Sequence, residues 1–242
     1  MTQKTDPASR RHTWLRAVVF AAKTWVFRAR RFFFGPRVTW LEILEHRPDA
    51  PLAAESRTVL RTSTVAAELR LQEGKIHNLA VAARYLNGLR IPAGEVFSFW
   101  RHVPRPTRRS GFKEGRELRE GCIIPSVGGG LCQLSNALYS AALDAGCEII
   151  ERHAHTHVVP GSATAAGRDA TVFWNYVDLR FRPRFDLWLE VALSGNELIV
   201  RLWGRAAPVS VVESSVSGTD AASCETCGVE TCRRNRLIHK SS

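Results

Sequence analysis

Apolar positions along the chain fall into two helical stretches separated by short strand-like runs. From Lys75 to Leu86 the residues Ile76, Leu79, Ala80, Ala83 and Leu86 keep helical spacing, and Asn87-Gly88 supplies the stop. A second helix is predicted from Leu131 to Ala145, with Leu131, Leu134, Leu138, Ala141 and Ala142 on one stripe and Gly146 closing it. Branched and aromatic content predicts strands at Val96–Trp100, Cys122–Ile124, Cys147–Glu151, Thr171–Phe181, Leu187–Leu193 and Leu198–Trp203. The last two flank Ser194-Gly195-Asn196-Glu197, a hairpin signal. Pro48, Pro51 and the polar run Ala54–Thr64 read as a linker, Arg101–Glu120 as one long loop, and everything from Ala206 onward as a loose tail.

These elements predict an α+β fold, a mostly antiparallel sheet packed on a buried central helix. Four segments follow: a basic aromatic amphipathic arm at 1–37, a linker and entry segment at 38–74, the α+β domain at 75–205, and a flexible cysteine-bearing tail at 206–242. With 45% hydrophobic and 24% charged residues in 242, the chain has material for a core without disulfide staples. No stretch approaches the ~20 uninterrupted apolar residues of a membrane-spanning helix.

Charge changes the picture at one end. Residues 1–37 hold nine bases against the single acid Asp6, whereas the other 205 residues carry 25 bases and 22 acids. A basic arm on a nearly neutral body makes nucleic acid an unlikely partner and an anionic membrane surface the expected one, since Trp14, Phe20, Trp25, Phe27 and Phe32–Phe34 are interleaved with Arg and Lys. Arg16 and Lys23 leave only Ala17–Ala22 between them, too short for a secretory signal core. The expected location is therefore cytoplasmic, peripheral at the inner face of the membrane.

The sharpest chemical feature is Gly128-Gly129-Gly130-Leu131-Cys132-Gln133. The glycines allow close approach and positive φ, and Cys132 falls in the first turn of the second helix, where unpaired amides favour a thiolate. The same amides, with the Gln133 side chain, would suit an oxyanion. A nucleophilic thiol needs a base and the base an orienter. Downstream lie His153 and His155, then Asp169 in Gly167-Arg168-Asp169-Ala170-Thr171, an order matching papain-like and transglutaminase-like cores. The expected constellation is Cys132, His155 and Asp169, with His153 the second choice for base. Gly128, Gly129, Gly130, Gln133 and Arg168 are the expected binding residues. Alternatively, the H-x-H pair holds a metal, or Cys132 is a small residue where helix and sheet pack closely.

The runs Pro92-Ala93-Gly94-Glu95-Val96-Phe97-Ser98-Phe99, Gly128–Tyr139, Glu151-Arg152-His153-Ala154-His155 and Gly167-Arg168-Asp169-Ala170-Thr171-Val172 together resemble the VanW family, named for an accessory protein of vancomycin (glycopeptide) resistance clusters. The likeness covers roughly Lys75 to Pro183. It implies a bacterial protein connected with the cell envelope, and it implies no reaction.

In the tail, Cys224, Cys227, Cys232 and His239 offer three thiols and an imidazole, a set for zinc, or with the cysteines alone for an iron–sulfur cluster. Three function classes remain open on the sequence. The first is a thiol hydrolase or acyltransferase working on an amide of a peptidoglycan precursor, with Arg168 and the basic loop Arg105–Arg109 gripping its carboxylate or phosphate groups. The second is a non-catalytic module binding such an envelope precursor, small molecule or peptide, at the membrane surface. The third, a nucleic-acid-associated protein, is disfavoured by the neutral body.

Overall fold

The computed structural model describes residues 38–45, 49–61, 66–119, 122–155, 167–174 and 176–205, together with Val18, Val19, Ala21, Ala22, 24–26 and Ala29 of the arm. The chain divides into two units, Met1–Arg37 and Val38–Ser242. In the first, the described arm residues are helical, with Val18, Val19, Trp25 and Val26 exposed.

The second unit is α+β, and every pairing between its strands is antiparallel. Its elements in chain order are β1 (Leu52–Val59), α1 (Ala66–Leu86), β2 (Arg90–Ile91), β3 (Phe97–Ser98), the single-turn α2 (Phe99–His102), β4 (Glu114–Arg119), β5 (Cys122–Val127), α3 (Leu131–Asp144), β6 (Glu148–Glu151), β7 (Arg180–Arg182), β8 (Leu187–Ser194) and β9 (Glu197–Gly204). A four-stranded sheet runs β1-β9-β8-β2, a three-stranded one β3-β7-β6, and β4 with β5 makes a separate hairpin. α3 packs on β1 and β9, and α1 packs on β4, on β8 and on α3.

The helical stripe read from the sequence is what α3 buries: Leu131, Leu134, Leu138, Ala141 and Ala142 are all in the core. Leu189, Val191, Leu198, Val200 and Leu202 of the β8–β9 hairpin meet the same core. By area bookkeeping each fully buried leucine contributes roughly 1.5–3 kcal/mol of transfer free energy.

Four local expectations are corrected. The polar run 54–64 is not all linker, because 54–59 lie in β1. Its Ala54 and Ser56 are buried, while Glu55 and Arg57 turn outward into ion pairs with Arg201 and Glu197. Charges neutralised across strands give the edge a polar composition without preventing pairing. The first helix begins at Ala66, nine residues before its expected start at Lys75. Within the expected loop 101–120, His102 closes α2 and residues 114–119 form β4.

The fourth correction concerns strand ends. Val96–Trp100 pairs only at Phe97 and Ser98, because the Ser98 hydroxyl accepts from the Arg101 amide and starts a helical turn. Of Thr171–Phe181 only the end at Arg180 and Phe181 joins a sheet. Before it, Phe173 and Val177 close a tight turn on each other.

Candidate active site

The glycine turn is forced by what packs on it. Gly128 and Gly130 have φ of 84° and 103°, in the left-handed region where a side chain is strained. A Cβ on Gly130 would also occupy the aliphatic stem of Lys75, one on Gly129 the backbone of Gly115, and one on Gly128 the ring of Pro106. Lys75 itself is buried and donates to the Leu60 carbonyl. Burial, and then the neighbouring Arg116 charge, bring its pKa down to about 8. Gly130 caps α3 without a side chain. The amides of Leu131 and Gln133 turn back to the Gly128 and Gly130 carbonyls. Cys132 thus sits in the first turn of α3, at the positive end of its dipole.

The half-buried Cys132 sulfur lies 3.5 Å from Thr171 Oγ1 and 3.7 Å from the Val172 carbonyl, with the His155 imidazole near enough to act on its charge. His155 is held from its other side. Its Nδ1 is 2.6 Å from Asp169 Oδ1, and its backbone amide donates to Asp169 Oδ2 at 2.5 Å. Nε2 is therefore the ring nitrogen on the side away from Asp169. Asp169 is only 2% exposed. Its segment is fastened on three sides: Ala170 N donates to Asn136 Oδ1 at 2.7 Å, Arg152 Nε to the Asp169 carbonyl at 2.6 Å, and Thr171 N to the His153 carbonyl at 2.8 Å.

The electrostatics follow from these contacts. Asp169 is the main cause that pushes His155 up to about 10, with the sulfur adding to it. Burial works against ionisation of Cys132, but hydrogen bonds from His155 and Thr171 and the imidazolium charge outweigh it and bring the thiol below its usual range. Burial likewise opposes charge on Asp169, and its two bonds to His155 still lower it. The arrangement favours the thiolate–imidazolium form of the pair over that of an isolated thiol and imidazole. Cys147, buried without such partners, is pushed up to about 12.

The remaining expected residues take other places. His153 Nε2 lies 3.3 Å from Glu151, so the two imidazoles of the H-x-H pair turn to different carboxylates. Among the described residues no group of three or more His, Cys, Asp or Glu is placed to hold a metal ion. The Gln133 amide nitrogen is occupied by Thr58 Oγ1 and the Val59 carbonyl, both at 2.9 Å, and so ties α3 to β1. Arg168 makes a bidentate pair with Asp144 at 2.7 and 2.8 Å and a bond to Ser140, at the far end of α3 from Cys132. Cys224, Cys227, Cys232 and His239 lie outside the described residues.

Sequence reasoning missed Thr171, Asn136 and Arg152. Asn136 carried a signal, since it stands four residues after Cys132 and therefore on the same helix face. Nothing in the spacing of Thr171 announced a contact with sulfur. A cavity of about 310 Å³ between residues 44–45, Asn87 and the indoles of Trp188 and Trp203 shares no residue with the thiol site.

A family described as VanW like protein matches residues 74–203. The chain belongs to the VanW family. Cys132, His155, Asp169 and Thr171 all lie within the matched VanW region, whereas the arm and β1 precede it. Among curated relatives, the Vancomycin B-type resistance protein VanW of Enterococcus faecalis is 33% identical over 164 residues, 65% of this chain and 59% of that protein. The uncharacterized protein YoaR of Bacillus subtilis is 29% identical over 178 residues, 71% of this chain and 58% of that protein. The chain thus spans about three-fifths of the length of these relatives. No solved structure matches it.

Proposed function

We propose that this VanW-family protein is a cysteine-dependent amide hydrolase or acyltransferase acting on a peptidoglycan precursor. The observation that carries the reading is the Cys132–His155–Asp169 constellation, with its thiol lowered and its imidazole raised. The Cys132 thiolate attacks the carbonyl carbon of the amide, and the positive end of the α3 dipole stabilises the oxyanion as it develops. His155 gives its Nε2 proton to the departing amine as the C–N bond breaks, leaving a thioester on Cys132. Water or an acceptor amine, deprotonated by His155, then releases the acyl group and restores the thiolate. Asp169 fixes the ring and stabilises the imidazolium. Gln133 and Arg168 have no part in this scheme, because their side chains are engaged elsewhere in the fold.

The choice of substrate rests on kinship, one relative being named for vancomycin resistance. The arm fits a substrate delivered at an anionic membrane surface, with the protein peripheral at the inner face. Its nine bases accompany exposed Val18, Val19, Trp25 and Val26.

Site-resolved iodoacetamide labelling across pH tests the thiol. Cys132 is expected to react at pH values where an ordinary thiol is protonated, and Cys147 to stay inert. Equal, sluggish labelling of both would overturn the proposal. Incubation with a muramyl-peptide precursor is then expected to yield a Cys132 acyl adduct or a released amine, both lost in Cys132→Ser. Binding of the peptide without either product would replace the enzyme with a non-catalytic module.

A further inference from the structure

The described neighbours of the Cys132 sulfur include an oxygen group that the reaction outlined above does not use. Thr171 Oγ1 stands 3.5 Å from it, beside the Val172 carbonyl at 3.7 Å. These two oxygens respond oppositely to ionisation. A thiol can donate to the carbonyl, whereas a thiolate has no proton to give and needs a donor. A carbonyl cannot supply one, but a threonine hydroxyl can, because its proton rotates to suit.

We propose that Thr171 is a positioning residue for the nucleophile, its hydroxyl donating to the Cys132 thiolate and fixing the sulfur opposite the His155 ring. The assignment rests on the thiolate reading of the site and deepens it. The backbone supports it independently. Thr171 N–H is bound to the His153 carbonyl, and the preceding Ala170 N–H to Asn136 of α3, so the hydroxyl is carried by a segment fastened at two adjacent amides. The same short segment presents Asp169 to the imidazole and, two residues on, Thr171 to the sulfur. One strip of chain thereby sets both members of the ion pair.

The test uses the full-length chain and the pH dependence of Cys132 alkylation by iodoacetamide, in wild type, Thr171→Val and Thr171→Ser. A hydrogen bond to a charged acceptor is strong enough that its loss in Thr171→Val is expected to slow alkylation at pH 6 by about tenfold. The plateau rate at high pH is expected to stay unchanged, and Thr171→Ser to restore the wild-type profile. A Thr171→Val profile that superimposes on wild type overturns the assignment. So does a plateau rate that falls with no displacement along the pH axis, as expected of a purely structural defect. If Thr171→Val does not fold, Thr171→Ala is read in its place against the same two outcomes. A wild-type profile that already matches an ordinary thiol is the distinct result that removes the thiolate reading itself.

Discussion

Asp169 reaches His155 through both carboxylate oxygens, one on the ring and one on the backbone amide, so the orientation of the imidazole and the course of its loop are set by one side chain. The pH dependence of stability follows with opposite signs on its two limbs. His155 is raised from 6.5 to about 10, so the stability its charge contributes is complete below the ordinary imidazole range and lost as pH rises through about 10. Cys132 and Asp169 are lowered, so their contributions are present above their ordinary values and lost as pH falls through the folded ones. Asp169→Asn removes the charge that holds the imidazolium. It is expected to slow Cys132 alkylation at pH 6.5 by about tenfold or more and to weaken the alkaline loss of stability. Alkylation rates and urea midpoints across pH measure both effects.

At the scale of elements, the seat of Cys132 depends on how α1 grips the β4–β5 hairpin. Asn78 is fully buried. Its Nδ2 donates to the carbonyls of Lys113 and Gly129 at 2.9 and 3.0 Å, and its Oδ1 accepts from Lys113 N at 2.8 Å. It is the tie between the first helix and the glycine turn. Asn78→Ala strips partners from buried backbone groups, which cost about 1–3 kcal/mol each when left unsatisfied, so a loss of about 3 kcal/mol is expected in urea unfolding. Because Gly129 precedes the cap of α3, Cys132 alkylation is expected to lose its low-pH component in the same variant. Gln133 makes a comparable tie from α3 to β1, joining the part of the chain matched by the family to a strand outside it.

The whole molecule divides its charge unevenly. Residues 1–37 carry most of the basic excess, and the rest of the chain is close to balanced. The membrane attachment proposed for this arm would be electrostatic and so screened by salt, with a Debye length of ~10 Å at 0.1 M. The full-length chain is expected to float with vesicles containing phosphatidylserine at low ionic strength and to be released by about 0.5 M salt. It is expected to stay behind with purely zwitterionic vesicles. Flotation of the protein with both vesicle types alike, unaffected by salt, would assign the attachment to apolar insertion alone.

Reading the sequence alone went furthest where the information is periodic or local. The stripe of α3, the β8–β9 hairpin with its Gly195 turn, and the glycines before Cys132 were legible, because helix faces, tight turns and positive φ depend on residues near one another in the chain. β1 was not, because its alternation is written in charges whose partners, Glu197 and Arg201, stand some 140 positions away. The Thr171–Phe181 run failed for a related reason. Branched and aromatic content marks burial, and in Val172 the burial comes from loop packing rather than from strand pairing.

By itself, then, the sequence determined the class of fold and the helix that carries Cys132, and it offered the cysteine, histidine and aspartate that the proposed chemistry uses. Only the tertiary structure brings Asp169 to the ring of His155 rather than to that of His153, since both lie in the same short run. It also decided that Gln133 and Arg168 bind the fold and brought Thr171 to the sulfur. Hydrogen bonds between side chains act over a few ångströms in space, and no spacing along the chain records which groups folding will bring that close.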